Sequence, residues 1–195
     1  MSVTQYYTAT TLDGFIADEH HSLDWLFTRE QDHAGPLNYA DFIADVGALA
    51  MGSHTYDWVL DHEFKDKDPA EWKWPYDIPG WVFTHRQLRV VPDAAIVFTS
   101  ADVTAVHAEM VAAAGGRNVW IVGGGDLVGQ FADAGLLDEV IVYVAPVTLG
   151  AGAPLLPRRL ELRLEETARN DDFVTARYSV ASRATPGDSG SAAGA

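Results

Sequence analysis

The four apolar residues Val119-Trp120-Ile121-Val122 run directly into Gly123-Gly124-Gly125, and a helix-forming stretch, 127–134, follows and closes at Gly135. A short apolar run bounded by turn residues reads as a buried strand. Glycine in the turn after it lets the backbone approach a bulky anion. The helix start beyond it offers unbonded N–H donors and a partial positive charge. Together these suit a phosphate group. The same geometry also serves where the chain only needs a tight corner, and the motif by itself leaves both readings open. The turn is not the dinucleotide fingerprint G-x-G-x-x-G, because the glycine after Gly123 and Gly125 is Gly129, one residue late. It has no P-loop lysine, which argues against nucleoside triphosphate hydrolysis.

The rest of the chain alternates in the same way. Residues 3–11 are β-rich, Leu12-Asp13-Gly14 turns, and Phe15-Ile16-Ala17 continues as a short strand. Residues 18–36 read as a long polar loop. Helical spacing follows over 37–45, then a buried strand at 48–51 ending at Gly52, and a second helix from Thr55 to Leu60. Residues 64–79 read as a loop rich in tryptophan and charge, and 81–83 and 95–98 as strands. A helix begins near Ser100, the candidate N-cap, and runs to Ala114. Strand 140–144 precedes a terminal antiparallel hairpin, 160–168 and 173–180, joined by Asn170-Asp171-Asp172. Alternating strands and helices predict an α/β domain built on a mainly parallel sheet with covered faces. The domain is expected over residues 1–181. The Gly/Pro/Ser-rich residues 182–195 are expected to be disordered.

A net charge of −15 disfavours nucleic acid and anionic membranes as partners. The stretch 140–157 is interrupted by Pro146, Gly150, Gly152 and Pro154 and is a poor membrane span. The N-terminus reads straight into a strand, without the pattern of a signal peptide. The absence of cysteine removes disulfides, thiolate metal sites and a cysteine nucleophile. The chain therefore reads as a soluble, cytoplasmic protein. No metal site is expected: His20 and His21 are adjacent and lack a matching third ligand, and His54 and His62 lack zinc spacing. No Gly-x-Ser-x-Gly nucleophile elbow is present.

Five segments, in order, resemble the dihydrofolate-reductase-like family, which includes the reductase domain of the bifunctional riboflavin biosynthesis protein. They are Thr11-Leu12-Asp13-Gly14-Phe15-Ile16-Ala17, Leu23-Asp24-Trp25-Leu26, Met51-Gly52-Ser53-His54-Thr55-Tyr56, Val122-Gly123-Gly124-Gly125, and the run from Pro146 through Gly150, Gly152 and Pro154 to Leu156. The resemblance implies a three-layer fold. Its sheet is mixed, mostly parallel and of about eight strands, flanked by helices and ending in an antiparallel hairpin. It also implies NADPH as cofactor and a small-molecule substrate. Ala9 and Ile16 would flank the nicotinamide. Gly52, Ser53, His54 and Thr55 would open one phosphate-facing helix, and Gly123, Gly124, Gly125, Asp126 and Leu127 the other. Thr84, His85 and Arg86 would meet the adenosine 2′-phosphate, which suits hydroxyl and guanidinium donors. The arginine of the family's Gly-Arg-x-Thr turn is Ser53 here.

The family's dihydrofolate reductases carry a carboxylate on the first helix, and the start of that segment, Gly35-Pro36-Leu37-Asn38-Tyr39-Ala40, has none. Asp13 is the alternative catalytic carboxylate, by its likeness to an aspartate near the sugar in riboflavin-pathway reductases; a turn aspartate bonding its own backbone is the other reading. Trp25, Tyr39 and Tyr143 are candidates for a planar-substrate pocket, or else plain packing. The leading expectation is an NADPH-dependent reductase of a small heterocyclic or carbonyl compound. A pyrimidine reductase of the riboflavin type, or a non-catalytic nucleotide-binding or oligomerisation module, are the alternatives. A Rossmann dehydrogenase would need an acidic residue on the next strand's end, and Val142-Tyr143-Val144-Ala145-Pro146 has none. The apolar strands 140–144 and 160–180 suggest a homodimer.

Overall fold

The computed structural model describes residues 2–181. The expectation of disorder for residues 182–195 lies outside them. The chain runs β1 (Thr4–Thr11), β2 (Phe15–Ala17), α1 (Asp24–Phe27), α2 (Tyr39–Ala44), β3 (Val46–Gly52), α3 (Ser53–Phe64), a 3-10 turn (Pro69–Glu71), β4 (Gly80–Phe83) and β5 (Ile96–Thr99). It continues through α4 (Val103–Ala113), β6 (Asn118–Gly123), α5 (Gly125–Asp133), β7 (Glu139–Ala145), β8 (Ala153–Pro154), β9 (Leu162–Asn170) and β10 (Phe173–Val180).

Eight strands form one sheet in the order β5-β4-β3-β6-β1-β7-β10-β9. All neighbours are parallel up to β7, and β10 runs antiparallel to both β7 and β9. Period-two alternation explains why both faces need cover. Tyr6, Ala50, Ile121 and Val142 face one layer with Val106, Met110, Val128 and Phe131 of α4 and α5. Tyr7, Met51, Trp120 and Ile141 face the other with Tyr56, Val59 and Leu60 of α3. The expected three-layer, mostly parallel fold with its terminal hairpin is the one the chain adopts. Among the described residues no helix is long and apolar enough to cross a membrane.

Three local expectations are corrected. Helix α4 starts at Val103, not near Ser100, because the Asp102 carboxylate accepts from the Thr104 N–H at 2.9 Å and caps it. Helices α3 and α5 begin two residues earlier than their apolar patterns do, directly after glycine. Strand β7 is paired on both sides, by β1 and β10, so of the two stretches expected to meet a second subunit only the hairpin, through β9, lies at a sheet edge.

The N-terminal end of the sheet carries a titratable group that the site does not use. The buried Thr4 hydroxyl lies 2.7 Å from His107 Nε2, and the Thr4 N–H donates to Asp138 at 2.8 Å. Burial holds the His107 pKa below the ordinary imidazole value, and the Asp138 carboxylate opposes this only in part. A lowered pKa means that the unfolded chain takes up the proton first. Stability is then full above about pH 6.5 and is lost as the pH falls below it. Thermal unfolding followed from neutral pH down to pH ~5 should show a steeper loss of midpoint for the wild type than for His107→Gln. Parallel curves would refute this.

Candidate functional site

Strands β3 and β6 are parallel neighbours, with Met51 in register with Gly123. Each ends in glycine and opens a helix at once. Gly52 (φ −80, ψ 164) is the N-cap of α3, and Gly124 (φ −76, ψ 176) that of α5, and neither helix start has a side-chain cap. By contrast, α2, the 3-10 turn and α4 are capped by Asn38, Asp68 and Asp102, and only the one-turn α1 shares the lack of a side-chain cap among the described residues. The two uncapped starts therefore keep unbonded N–H donors and positive dipole ends. They open side by side onto one cavity of about 980 Å³, at the carboxyl ends of the parallel strands. Gly52, Ser53, His54 and Thr55 line it from one helix, and Gly123, Gly124, Gly125, Asp126 and Leu127 from the other.

The three glycines of the turn differ in task. Gly123 has φ +139, a conformation that side chains rarely adopt, and its peptide bond to Gly124 is cis. A Cβ on Gly124 would meet nothing nearer than Ile16 Cδ1 at 4.0 Å, so this residue faces open cavity. A Cβ on Gly125 would collide with the backbone carbonyls of Pro154 and Leu155. Gly125 thus lets α5 sit directly on the β8 segment, which pairs with β2. Asp126, in the first turn of α5, is a negative charge at a positive helix end. Its carboxylate accepts from Gln130 at 3.1 Å and from the Arg158 guanidinium at 2.9 Å, which together hold its pKa down. Arg158 also pairs with Asp133 at 2.8 Å.

Away from the helix starts the cavity passes Ala9 and Ile16 and ends among Tyr7, Tyr39, Tyr76, Trp120, Tyr143 and Phe173. These rings hold one another: Tyr7 and Tyr143 at 5.7 Å between centroids, Tyr39 and Trp120 at 5.9 Å, Tyr76 and Trp120 at 5.8 Å. Burial pushes the phenol pKa values of Tyr7, Tyr39, Tyr76 and Tyr143 upward, so all four stay neutral at physiological pH. Tyr7 donates to the Leu37 carbonyl at 3.1 Å and Tyr143 to that of Pro36 at 2.9 Å, which ties the aromatic end to the loop before α2. A phosphate-bearing ligand fits one end of this cavity and a flat ring the other.

Residues 3–172 match the family model described as RibD C-terminal domain. The chain belongs to the RibD C-terminal domain family. It is 35% identical over 179 residues to the Bacillus subtilis (strain 168) protein named Uncharacterized protein YwjB, covering 90% of this chain and 96% of that one. Among solved structures it is similar to a putative riboflavin biosynthesis protein from Shewanella sp. PV-4, with TM-score 0.75 and 25% identity, over 92% of this chain and 99% of that one. A dihydrofolate reductase from Enterococcus faecalis complexed with NADP(H) shares the fold at TM-score 0.53 and 13% identity, over 91% and 96% of the two chains. The RibD-type domain therefore has a reductase-type fold.

Within it, Ala9, Ile16, Tyr39 and Tyr143 and both helix-start clusters come together around the cavity, while other expected residues do not. Asp13 lies outside it and is exposed. Its carboxylate accepts from the Leu149 N–H at 3.0 Å, the Gly150 N–H at 2.7 Å and the Thr11 hydroxyl, which hold its pKa low, Thr11 most. It staples the β1–β2 turn to residues 149–150, the turn role held open beside the catalytic one. Trp25 is buried in the α3-side core rather than lining the cavity, which corrects its assignment to the substrate pocket. Thr84, His85 and Arg86 lie past the end of β4 and do not line it either; Thr84 accepts from the Arg86 N–H at 2.9 Å, and Arg86 pairs with Asp57 of α3 at 2.9 Å.

The missing helix carboxylate has a structural counterpart. Asn38 caps α2 by accepting from the Asp41 N–H at 2.9 Å, while its own amide donates to Asp41 at 2.8 Å. Sequence reasoning missed Arg29, Gln31, His33, Tyr76 and Trp120, all of which line the cavity. The contrast between the turn glycines is testable. Gly125→Ala should destabilise the fold by about 1–3 kcal/mol through overpacking, whereas Gly124→Ala should stay within about 0.5 kcal/mol. Urea unfolding of the two variants decides; equal stability would remove the packing role of Gly125.

Proposed function

We propose that this chain is an NADPH-dependent reductase that passes a hydride to a small planar heterocycle. The observation that carries the reading is the pair of uncapped helix starts facing one cavity whose other end is aromatic. Residues present here fit the dinucleotide. The α3 and α5 starts supply N–H donors for its phosphates, and the bare Gly124 gives them room. Ala9 and Ile16 offer an apolar slot for a flat ring. Outside that cavity, past the end of β4, Thr84 and Arg86 offer a hydroxyl and a guanidinium, the latter paired with Asp57, for a terminal phosphomonoester. When bound, NADPH supplies the hydride.

The protein's own part is then placement and dryness. Tyr7, Trp120 and Tyr143 hold a planar substrate against the nicotinamide slot, and their packing keeps water out. The proton that balances the hydride needs a protic group at that end. Asp126 is the one carboxylate among the described residues lining the cavity, and Arg158 engages it. The neutral phenols of Tyr39 and Tyr76 stand at the aromatic end and keep their protons because burial raises both pKa values. A pyrimidine reductase of the riboflavin type is the alternative reading, supported by the family membership.

Calorimetric titration with NADPH and, separately, NADH tests the proposal. Gly124→Asp, which places a carboxylate where the phosphates belong, should weaken NADPH at least about a hundredfold. Arg86→Ala should weaken NADPH about tenfold and leave NADH unchanged. Failure of the wild type to bind either cofactor would overturn the reading in favour of a non-catalytic module.

A further inference from the structure

Residues 30–32 pass beside the turn that joins β9 to β10. The Glu30 N–H donates to the Asp172 carboxylate at 2.9 Å, and the Asp172 N–H to the Glu30 carbonyl at 3.3 Å. The Asp32 N–H donates to Asn170 Oδ1 at 2.9 Å, and Asn170 Nδ2 returns to the Asp32 carbonyl at 3.0 Å. Asn170 is buried, and a Cβ on Gly35 would run into its amide, so the anchor is close-packed. Glu30 and Asp32 are exposed, and Asp32 turns back to accept from the Ala34 N–H at 2.9 Å. Arg29, Gln31 and His33 line the cavity. Arg29 and Gln31 are half-buried there, whereas His33 lines the cavity from an exposed position.

Arg29 is the decisive member. In a chain with 28 acidic residues, Arg86, Arg89, Arg158, Arg159, Arg163 and Arg177 are each ion-paired, and of the other described arginines, Arg29, Arg117 and Arg169, only Arg29 lines the cavity. Arg29 has no ion pair among the described residues, and its Nε is buried without a hydrogen-bond partner. An unsatisfied buried donor is costly unless a ligand meets it. The cofactor's phosphates are not that ligand. The helix starts stand at the ends of β3 and β6, whereas the backbone of residues 30–32 is tied to the β9–β10 turn, on the far side of β1 and β7 from them. Asn170, which anchors the strip, also donates to the Tyr143 phenol at 3.4 Å, which joins the strip to the aromatic end.

We infer that Arg29, Gln31 and His33 form a recognition strip for a carboxylate carried on the planar substrate. The inference deepens the reductase reading and rests on it. One guanidinium is the strip's single permanent cation, and its fork matches the two oxygens of a monoanionic carboxylate. A phosphomonoester dianion would ask for more positive charge than the strip offers.

The test uses the full chain and three matched probes: naphthoate, naphthamide and naphthyl phosphate. Binding is read from quenching of tryptophan fluorescence, with Trp120 in the cavity wall. Naphthoate should bind about ten- to a hundredfold tighter than naphthamide, and tighter than the phosphate. Arg29→Met should erase the preference for naphthoate over naphthamide, and Arg29→Lys should recover part of it, with thermal midpoints and NADPH affinity unchanged. Equal binding of acid and amide by the wild type, retention of the preference in Arg29→Met, tighter binding of the phosphate, or no binding of any probe would each overturn the inference. NADPH titrated on the same samples keeps the two ideas apart, since loss of cofactor binding bears on the reductase reading and the probe series on the strip.

Discussion

The pairing of β3 with β6 is the constraint on which the site depends. Because Met51 stands opposite Gly123, two strands end at the same level, and the helices that follow begin side by side. Neither helix spends a side chain on its own first turn. Unbonded N–H groups at a buried helix end are tolerated only where water or a ligand can meet them. The cavity in front of them is therefore a consequence of the strand ends as much as of the side chains around it. A shift of one residue in this register would turn the alternating faces of β6 over and bury the wrong side of Trp120.

The architecture was legible because it is written in local patterns. Apolar runs of four to seven residues ending in glycine are hard to read as anything but buried strands, and their alternation with helices dictates a parallel sheet. The candidate site was legible where it coincides with those patterns, at residues 52–55 and 123–127. Helix starts were misplaced where glycine carried the cap, since glycine carries no helical pattern of its own. The strip at residues 29–33 was not legible. Five residues in a polar loop show no usable period, and what anchors them is Asn170, more than a hundred positions away. Asn170 itself reads as an ordinary turn residue.

Asp13 shows a different limit. An aspartate in a Leu-Asp-Gly turn can face a ligand or hold a loop, and its residue type is the same in both roles. The partners decide. Here two N–H groups from residues 149–150 and the Thr11 hydroxyl occupy its oxygens. That staple, with the close approach of Gly125 to residues 154–155, fixes the segment after β7 against β2, and so fixes the Ile16 wall of the cavity. A residue with the look of a catalytic acid thus acts on the site through backbone placement.

The charge distribution carries the argument one step further. A chain of net charge −15 repels anions at long range, so an anionic ligand can be held only where the acids are locally silenced or turned away. The structure does both. Arg158 spans Asp126 and Asp133, which removes a negative charge from the mouth of α5. Asp57 holds Arg86 in place at the end of β4, and Glu30 and Asp32 are exposed while Arg29 lines the cavity. Screening at physiological salt limits the general repulsion to within about 8 Å of the surface. Inside the cavity the nearest charges therefore matter more than the sum, and of those lining it Asp126 is engaged by Arg158 and Arg29 has no ion pair among the described residues.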